Sequence, residues 1–143
     1  MKYSLSQINK KRYQIPENLD DSVYIDRFLS LHPGKRLVVV QGLGFVGSVM
    51  SLIVSNSLLE DYSVIGIDLP YEQTYWKIAS LNEGVFPIIS TDKKVDEYFQ
   101  EARLKNNLYA TYDPYVYSKA DVVIVDINLD IKKQWNANRE MSG

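Results

Sequence analysis

The 143-residue chain is long enough for one domain with a buried core, and its 45% hydrophobic and 24% charged residues exclude wholesale disorder. A net charge of −2 gives no reason to expect nucleic acid as the main partner, and the lack of cysteine excludes disulfides, thiolate metal sites and a thiol nucleophile within this chain. No apolar run reaches the roughly 18 residues that span a membrane, and the N-terminus has no signal-peptide core, so the sequence predicts a soluble, cytoplasmic protein.

Residues 1–35 are predicted to form an N-terminal arm. Apolar residues from Leu19 to Leu31 have a spacing compatible with a short amphipathic helix, and His-Pro-Gly at 32–34 ends that helix with a turn. His32 is the only histidine, and we interpret it as a turn residue because the sequence offers no partner to orient it as a base. We hypothesise that the arm covers an exposed edge of the sheet that follows.

The first strong strand signal is Arg36–Gln41, whose continuous apolar and β-branched centre is typical of a strand buried on both faces of a parallel sheet. The glycine-rich segment GLGFVG, residues 42–47, follows it directly. The spacing then predicts a helix over 48–59 whose apolar face carries Val49, Leu52, Ile53 and Leu59.

The rest of the chain continues the alternation of strands and helices. We predict strands at 63–67, 108–111 and 121–127, a helix at 74–82 that Gly84 ends, and a helix at 93–103 that Thr91 or Asp92 caps. Such alternation indicates an α/β fold, a Rossmann-like doubly wound parallel sheet in three α/β/α layers, with strand order 3-2-1-4. A complete domain of this type has about six strands, so the predicted domain at 36–143 is interpreted as truncated.

The glycine-rich segment, together with an acid at the end of the second strand, forms a dinucleotide-binding fingerprint. Gly42 permits the tight turn, Gly44 leaves the backbone open to a pyrophosphate, and Gly47 lets the helix pack closely on the sheet. Asp68 ends the second strand, about 20 residues after Gly47, where a carboxylate binds the ribose hydroxyls and repels a 2′-phosphate. The pattern therefore favours NAD over NADP. The serious rival is an S-adenosylmethionine-dependent methyltransferase, whose loop usually lacks the third glycine.

Several further segments carry a family resemblance. The glycine-rich segment 42–47, called the glycine turn below, is followed by five segments: VIGID (64–68), KIASLNEG (77–84), FPI (86–88), ATYD (110–113) and ADVVIV (120–125). Their order resembles that in the N-terminal domain of the UDP-glucose/GDP-mannose dehydrogenase family. The resemblance implies that Gly42, Phe45, Val46 and Gly47 contact the NAD pyrophosphate and that Asp68 binds the ribose. It also implies that Lys77 approaches the adenosine, although an exposed helix lysine is an equally good interpretation.

The chain departs from the family pattern after the fourth strand. The family has a Thr-Pro pair there, in some members Asn-Thr-Pro, whose threonine lies near the nicotinamide. Asn128 fits this pattern, but Leu129 and Asp130 replace the threonine and the proline. The resemblance therefore implies either an altered nicotinamide side or a divergent family member.

For function, the resemblance implies an NAD-dependent oxidoreductase that converts a UDP- or GDP-hexose to the uronate for polysaccharide biosynthesis. The family uses two NAD and a cysteine thiolate, and the cysteine and the nucleotide-sugar pocket lie in domains expected to be absent here. This chain is thus expected to bind NAD without turnover, and the full-length parent is expected to be a homodimer. The alternatives are a non-catalytic Rossmann nucleotide-binding module and the methyltransferase.

Overall fold

The computed structural model describes residues 1–126 and, beyond them, the backbone of two short strands at 134–135 and 141–142. The strands are β1 (Tyr3–Leu5), β2 (Arg12–Gln14), β3 (Arg36–Gln41), β4 (Tyr62–Ile67), β5 (Leu108–Thr111), β6 (Val122–Val125), β7 (Gln134–Trp135) and β8 (Met141–Ser142). The helices are α1 (Ser22–Ser30), α2 (Phe45–Ser55), α3 (Tyr75–Glu83) and α4 (Lys93–Lys105), with a 3₁₀ helix, η1, at Pro114–Lys119. Among the described helices none is long and apolar enough to cross a membrane.

The central sheet has four parallel strands in the order β5-β4-β3-β6. This is the predicted 3-2-1-4 order of a doubly wound fold, which the structure confirms. Val39 of β3 pairs in register with Ile65 of β4 on one side and with Val123 of β6 on the other. The separate pairs β1-β2 and β7-β8 are antiparallel.

Helices cover both faces of the sheet, and the strand residues alternate between them. On one face α2, α3 and α4 pack on the strands in a core that includes Leu52, Ile78 and Phe99. On the other face Ile25 and Phe28 of α1, with Val116 of η1, pack against a second group of residues, Leu37, Val39, Ile65 and Ile67. The α/β/α layering follows from the two-residue period of strands whose two faces are both apolar.

The N-terminal arm contains the predicted helix, but its placement differs from the hypothesis. Helix α1 lies over a face of the sheet, where Ile25 and Phe28 bury their side chains against the apolar residues of the strands. The antiparallel β1-β2 pair, which the sequence analysis did not predict, is joined to α3 through Ser4, whose Oγ donates to Glu72 O at 2.6 Å and accepts from Trp76 N at 2.9 Å.

Helix α2 begins earlier and buries a different face than predicted. Its buried residues include Leu52, but Ile53 and Leu59 are 51% and 98% exposed. The sheet-facing side carries three serines, Ser48, Ser51 and Ser55, each donating a hydrogen bond to a backbone carbonyl. Small side chains let this helix approach the sheet closely. Their hydroxyl groups are satisfied because each one donates to a carbonyl of the main chain. The apolar face prediction was therefore wrong at Ile53 and Leu59.

Candidate functional site

A cleft of about 340 Å³ opens at the carboxyl ends of the central strands. Its walls come from the ends of β3, β4, β5 and β6, and its lining residues are Gln41, Gly42, Ile67, Asp68, Leu69, Tyr112, Pro114, Tyr117 and Asp126. The chain continues from β3 to β4 and β5 on one side and then crosses to β6 on the other side of β3, so the direction of strand addition changes at this point. In open parallel sheets, ligands bind in the crevice at such a switch point.

The glycine turn after β3 depends on two of its three glycines for its shape. Gly42 has φ +101°, which side chains of L-residues rarely adopt, and its amide donates to Ile67 O at 2.8 Å. A Cβ on Gly47 would lie 1.9 Å from the Gly42 carbonyl oxygen, so a larger residue would force the helix and the turn apart. A Cβ on Gly44 would meet one atom, Asp126 Oδ2 at 3.9 Å, which is an ordinary contact.

The first turn of α2 offers backbone donors to the cleft. Gly44 is the N-cap, and the Ser48 amide is the first to bond back, to Gly44 O at 2.9 Å. Among the residues that the structure describes, the amides of Phe45 and Val46 have no protein acceptor. The side chains of Phe45 and Val46 are 61% and 57% exposed. Free amides at the positive end of a helix dipole form an anion-binding site.

The structure places Asp68 directly beside this turn. Its Oδ2 accepts from the Leu43 amide at 2.9 Å, and its Oδ1 accepts from the Leu69 amide at 2.8 Å. These two bonds fix the carboxylate at the tip of β4 and leave each oxygen a further lone pair for a hydroxyl donor. The acid and the glycine turn are therefore brought together at one edge of the sheet.

A second carboxylate, which the sequence analysis missed, also reaches the turn. Asp126 directly follows β6, and its Oδ2 accepts from the Gly47 amide at 2.9 Å. Since all carboxyl ends of a parallel sheet meet at one edge, an acid at the end of the fourth strand was a usable signal. The strand predicted at 121–127 includes Asp126, and the sequence pattern assigned this residue no role.

Two tyrosines form the far wall of the cleft. Tyr117 donates from its hydroxyl to Gln41 Oε1 at 2.7 Å, and burial together with the charge of Asp68 raises the pKa of Tyr117. Burial is also the main cause that raises the pKa of Tyr112 to about 12, with the charge of Asp21 adding to it. Both phenols are therefore protonated at neutral pH.

The remaining predicted site residues lie elsewhere. Lys77 is in α3, outside the lining of the cleft, and its ammonium lies 6.0 Å from the centre of the Trp76 ring. Lys77 is half-buried, and its contact with adenosine stays a prediction. Asn128 and its neighbours Leu129 and Asp130 lie outside the described residues. Within residues 1–126 the structure contains no group of three or more metal-ligating side chains.

The parallel sheet, the glycine turn and the acid at the neighbouring strand tip define a dinucleotide-binding domain of the Rossmann class. Residues 36–141 match the model of the UDP-glucose/GDP-mannose dehydrogenase family, NAD binding domain. The chain belongs to this family, and the cofactor of the matched domain is NAD.

Two solved structures share the fold. An NDP-N-acetyl-D-galactosaminuronic acid dehydrogenase from Methanosarcina mazei Go1 matches with a TM-score of 0.60 and 20% identity, over 73% of this chain and 22% of that one. A UDP-glucose dehydrogenase from the hyperthermophilic archaeon Pyrobaculum islandicum matches with a TM-score of 0.54 and 20% identity, over 67% of this chain and 20% of that one. The matched region thus makes up about a fifth of either protein. No curated protein matches the sequence significantly.

The segment that most specifically resembles the family has a structural role here. The Asn82 side chain donates to Ala110 O at 2.8 Å and accepts from Ala110 N at 2.9 Å, so it pairs with the outer side of β5 as another strand would. Gly84, with φ +108°, ends α3 in a left-handed conformation. Asn82 therefore satisfies backbone groups on the open side of β5, which is an edge strand of the sheet.

Proposed function

We propose that this chain is the NAD-binding part of a nucleotide-sugar dehydrogenase that oxidises a UDP- or GDP-hexose to the corresponding uronate. The observation that carries the proposal is the Asp68 carboxylate, held 2.9 Å from the Leu43 amide inside the glycine turn. In this arrangement the carboxylate can accept hydrogen bonds from a ribose diol of the dinucleotide. The backbone amides of the turn can donate to the adjoining diphosphate.

The residues of the cleft fit the cofactor in two respects. Asp68 has lone pairs left to accept from both ribose hydroxyls, and its charge would repel a 2′-phosphate, which supports NAD over NADP. The amides of Phe45 and Val46 face the position where a diphosphate would approach the helix. NAD supplies the hydride acceptor for oxidation of an alcohol, and the residues described here bind and orient it.

We propose that the oxidation itself is carried out by a longer parent protein. The present chain has no cysteine, so the thiolate that the family uses has to come from residues outside it. We accordingly propose that this chain alone binds NAD without turnover and that nucleotide-sugar binding, homodimer formation and a role in polysaccharide biosynthesis are properties of a longer parent. The cytoplasmic location stays a prediction.

A non-catalytic nucleotide-binding module is the second candidate. The observation that favours it is the Asp126 carboxylate, which already accepts a hydrogen bond from one amide of the phosphate-binding turn. Family membership argues against the methyltransferase alternative.

Titration of the chain with NADH, NADPH and S-adenosylmethionine, followed by fluorescence and calorimetry, tests the proposal. We expect saturable NADH binding that weakens at least tenfold in Asp68→Ala, together with a smaller preference for NADH over NADPH once the repulsive charge is gone. Asp61→Ala is the matched control, because Asp61 is an exposed acid just before the other end of β4.

Binding of S-adenosylmethionine but not NADH would refute the proposal, as would equal NADH affinity in the two variants. NADH binding by the chain, combined with inactivity of the longer parent toward UDP- and GDP-sugars, would favour the second candidate.

A further inference from the structure

The Asp126 carboxylate lies over the glycine turn. Its Oδ2 is 2.9 Å from the Gly47 amide and would be 3.2 Å from a Cβ on Gly47 and 3.9 Å from one on Gly44. The carbonyl oxygen of Asp126 would also lie 3.2 Å from a Cβ on Gly42. One residue at the end of β6 is therefore close to all three glycines of the turn.

The position of this carboxylate matters because the first turn of α2 has few donors. Phe45, Val46 and Gly47 supply the amides ahead of the first helical hydrogen bond, and Gly47 donates to Asp126. The helix dipole favours one anion at this end, and a side-chain carboxylate already serves as that anion. A diphosphate that approaches Phe45 and Val46 would meet a like charge beside it.

The residues described here do not neutralise this charge within the cleft. Asp68 and Asp126 both line it, and none of the described residues in its lining is basic. Lys77, the basic residue expected near the adenosine, lies over Trp76. The cleft therefore offers a diol acceptor at Asp68, while at the turn the charge of Asp126 acts against the backbone amides that would bind a phosphate.

We propose that Asp126 sets the affinity of the cleft for phosphate-bearing ligands: its carboxylate competes with the cofactor diphosphate for the first turn of α2, so the adenosine part binds and the diphosphate part weakens binding. The inference rests on the proposed function, because it assumes that the cofactor uses this cleft. Asp126 is thereby a residue that determines specificity between nucleosides and dinucleotides.

Variants that remove the charge provide the first test. Asp126→Asn keeps an acceptor for the Gly47 amide, and Asp126→Ala removes the side chain beyond Cβ. We expect Asp126→Asn to bind NADH and ADP-ribose about tenfold more tightly than the unmodified chain, which is about 1.4 kcal/mol, with adenosine affinity unchanged. Asp121→Asn is the matched control, since Asp121 precedes the opposite end of β6 and accepts from Leu37 N at 2.7 Å. Its affinities should equal those of the unmodified chain, because the strand separates it from the turn by more than a Debye length of about 8–10 Å.

Salt provides a second test that needs no variant. Because screening weakens like-charge repulsion, the ADP-ribose affinity of the unmodified chain should rise between 0.05 and 0.5 M NaCl by a factor of about three or more, while adenosine affinity stays constant. Asp126→Asn should lose this rise, and thermal unfolding of both Asp126 variants verifies that they are folded.

The outcomes separate this inference from the proposed function. Equal ADP-ribose affinity in the unmodified chain and in both Asp126 variants, or affinity that falls with salt in the unmodified chain, overturns the role of Asp126 and leaves NAD binding intact. Failure of every form to bind NADH, ADP-ribose or adenosine overturns the proposed function and this inference together.

Discussion

The carboxylate of Asp68 and the backbone amide of Leu43 are joined by a hydrogen bond of 2.9 Å, which ties the end of β4 to the glycine turn after β3. Leu43 is itself fully buried, and a Cβ on Gly66 of β4 would lie 2.6 Å from its Cδ2. Leu43 is therefore held both by a polar bond and by close packing on β4. A ligand that meets this turn finds its amides already oriented.

The closeness of Gly47 to the turn leads to a prediction about stability. Gly47→Ala should lower the free energy of unfolding by about 3 kcal/mol or more, because its Cβ would lie 1.9 Å from the Gly42 carbonyl oxygen. Chemical denaturation measures the change. Gly44→Ala is the control: its Cβ meets Asp126 Oδ2 at an ordinary 3.9 Å, so stability should change by less than about 1 kcal/mol. If both variants unfold at the same denaturant concentration as the unmodified chain, the described packing of α2 on the turn is wrong.

A second prediction concerns the edge of the sheet. Asn82→Ala should cost about 2 kcal/mol, since it removes two hydrogen bonds, to Ala110 N and Ala110 O, each worth about 1 kcal/mol. The variant should also aggregate more readily, because an unprotected edge strand pairs with other chains. Denaturation curves and light scattering measure the two effects. Asn82→Asp keeps an acceptor for Ala110 N, so its free energy of unfolding should lie between those of Asn82→Ala and the unmodified chain. If Asn82→Ala is as stable as the unmodified chain, Asn82 does not cap the edge of the sheet.

A third prediction concerns pH. The carboxylate of Asp21 accepts from Tyr109 and Thr111 hydroxyls at 2.8 and 2.7 Å, and burial is the largest cause of its raised pKa, with the charges of Asp113 and Asp20 adding to it. Because the folded carboxyl holds its proton more tightly than the unfolded one, this group stabilises the fold below the unfolded pKa and loses that stability as pH rises through the folded pKa.

Replacing Asp21 with Asn isolates this contribution. The free energy of unfolding of Asp21→Asn relative to the unmodified chain should increase as pH rises from about 3 to 7, since the neutral amide avoids the ionisation. Denaturation at several pH values measures the difference. Asp20→Asn is the control with the opposite sign, because hydrogen bonds from Ser22 lower the pKa of Asp20. A pH-independent difference between Asp21→Asn and the unmodified chain would contradict the burial of this carboxylate.

Local signals in the sequence predicted most of the repeating structure. The β-branched run at 36–41, the helix stop at Gly84 and the cap at Asp92 act through contacts within a few residues, and the structure places strands and helices accordingly. The β1-β2 pair was missed because each strand has only three residues, too few to show a period. Ser48, Ser51 and Ser55 misled the prediction of the α2 face, since close packing on the sheet favoured small side chains over apolar ones.

By itself, the sequence determined the class of the fold and the position of the glycine turn, because strand period, helix spacing and glycine conformation are properties of neighbouring residues. The dinucleotide-binding fingerprint also indicated Asp68, but the meeting of Asp126 with that turn was visible only in the tertiary structure. Asp68 and Asp126 are separated by most of the domain in sequence, yet parallel pairing of β3 with β4 and β6 brings both acids to one edge, where they bond to Leu43 and Gly47. Lys77 lies on α3, which contacts β5, and it is not among the residues that line the cleft.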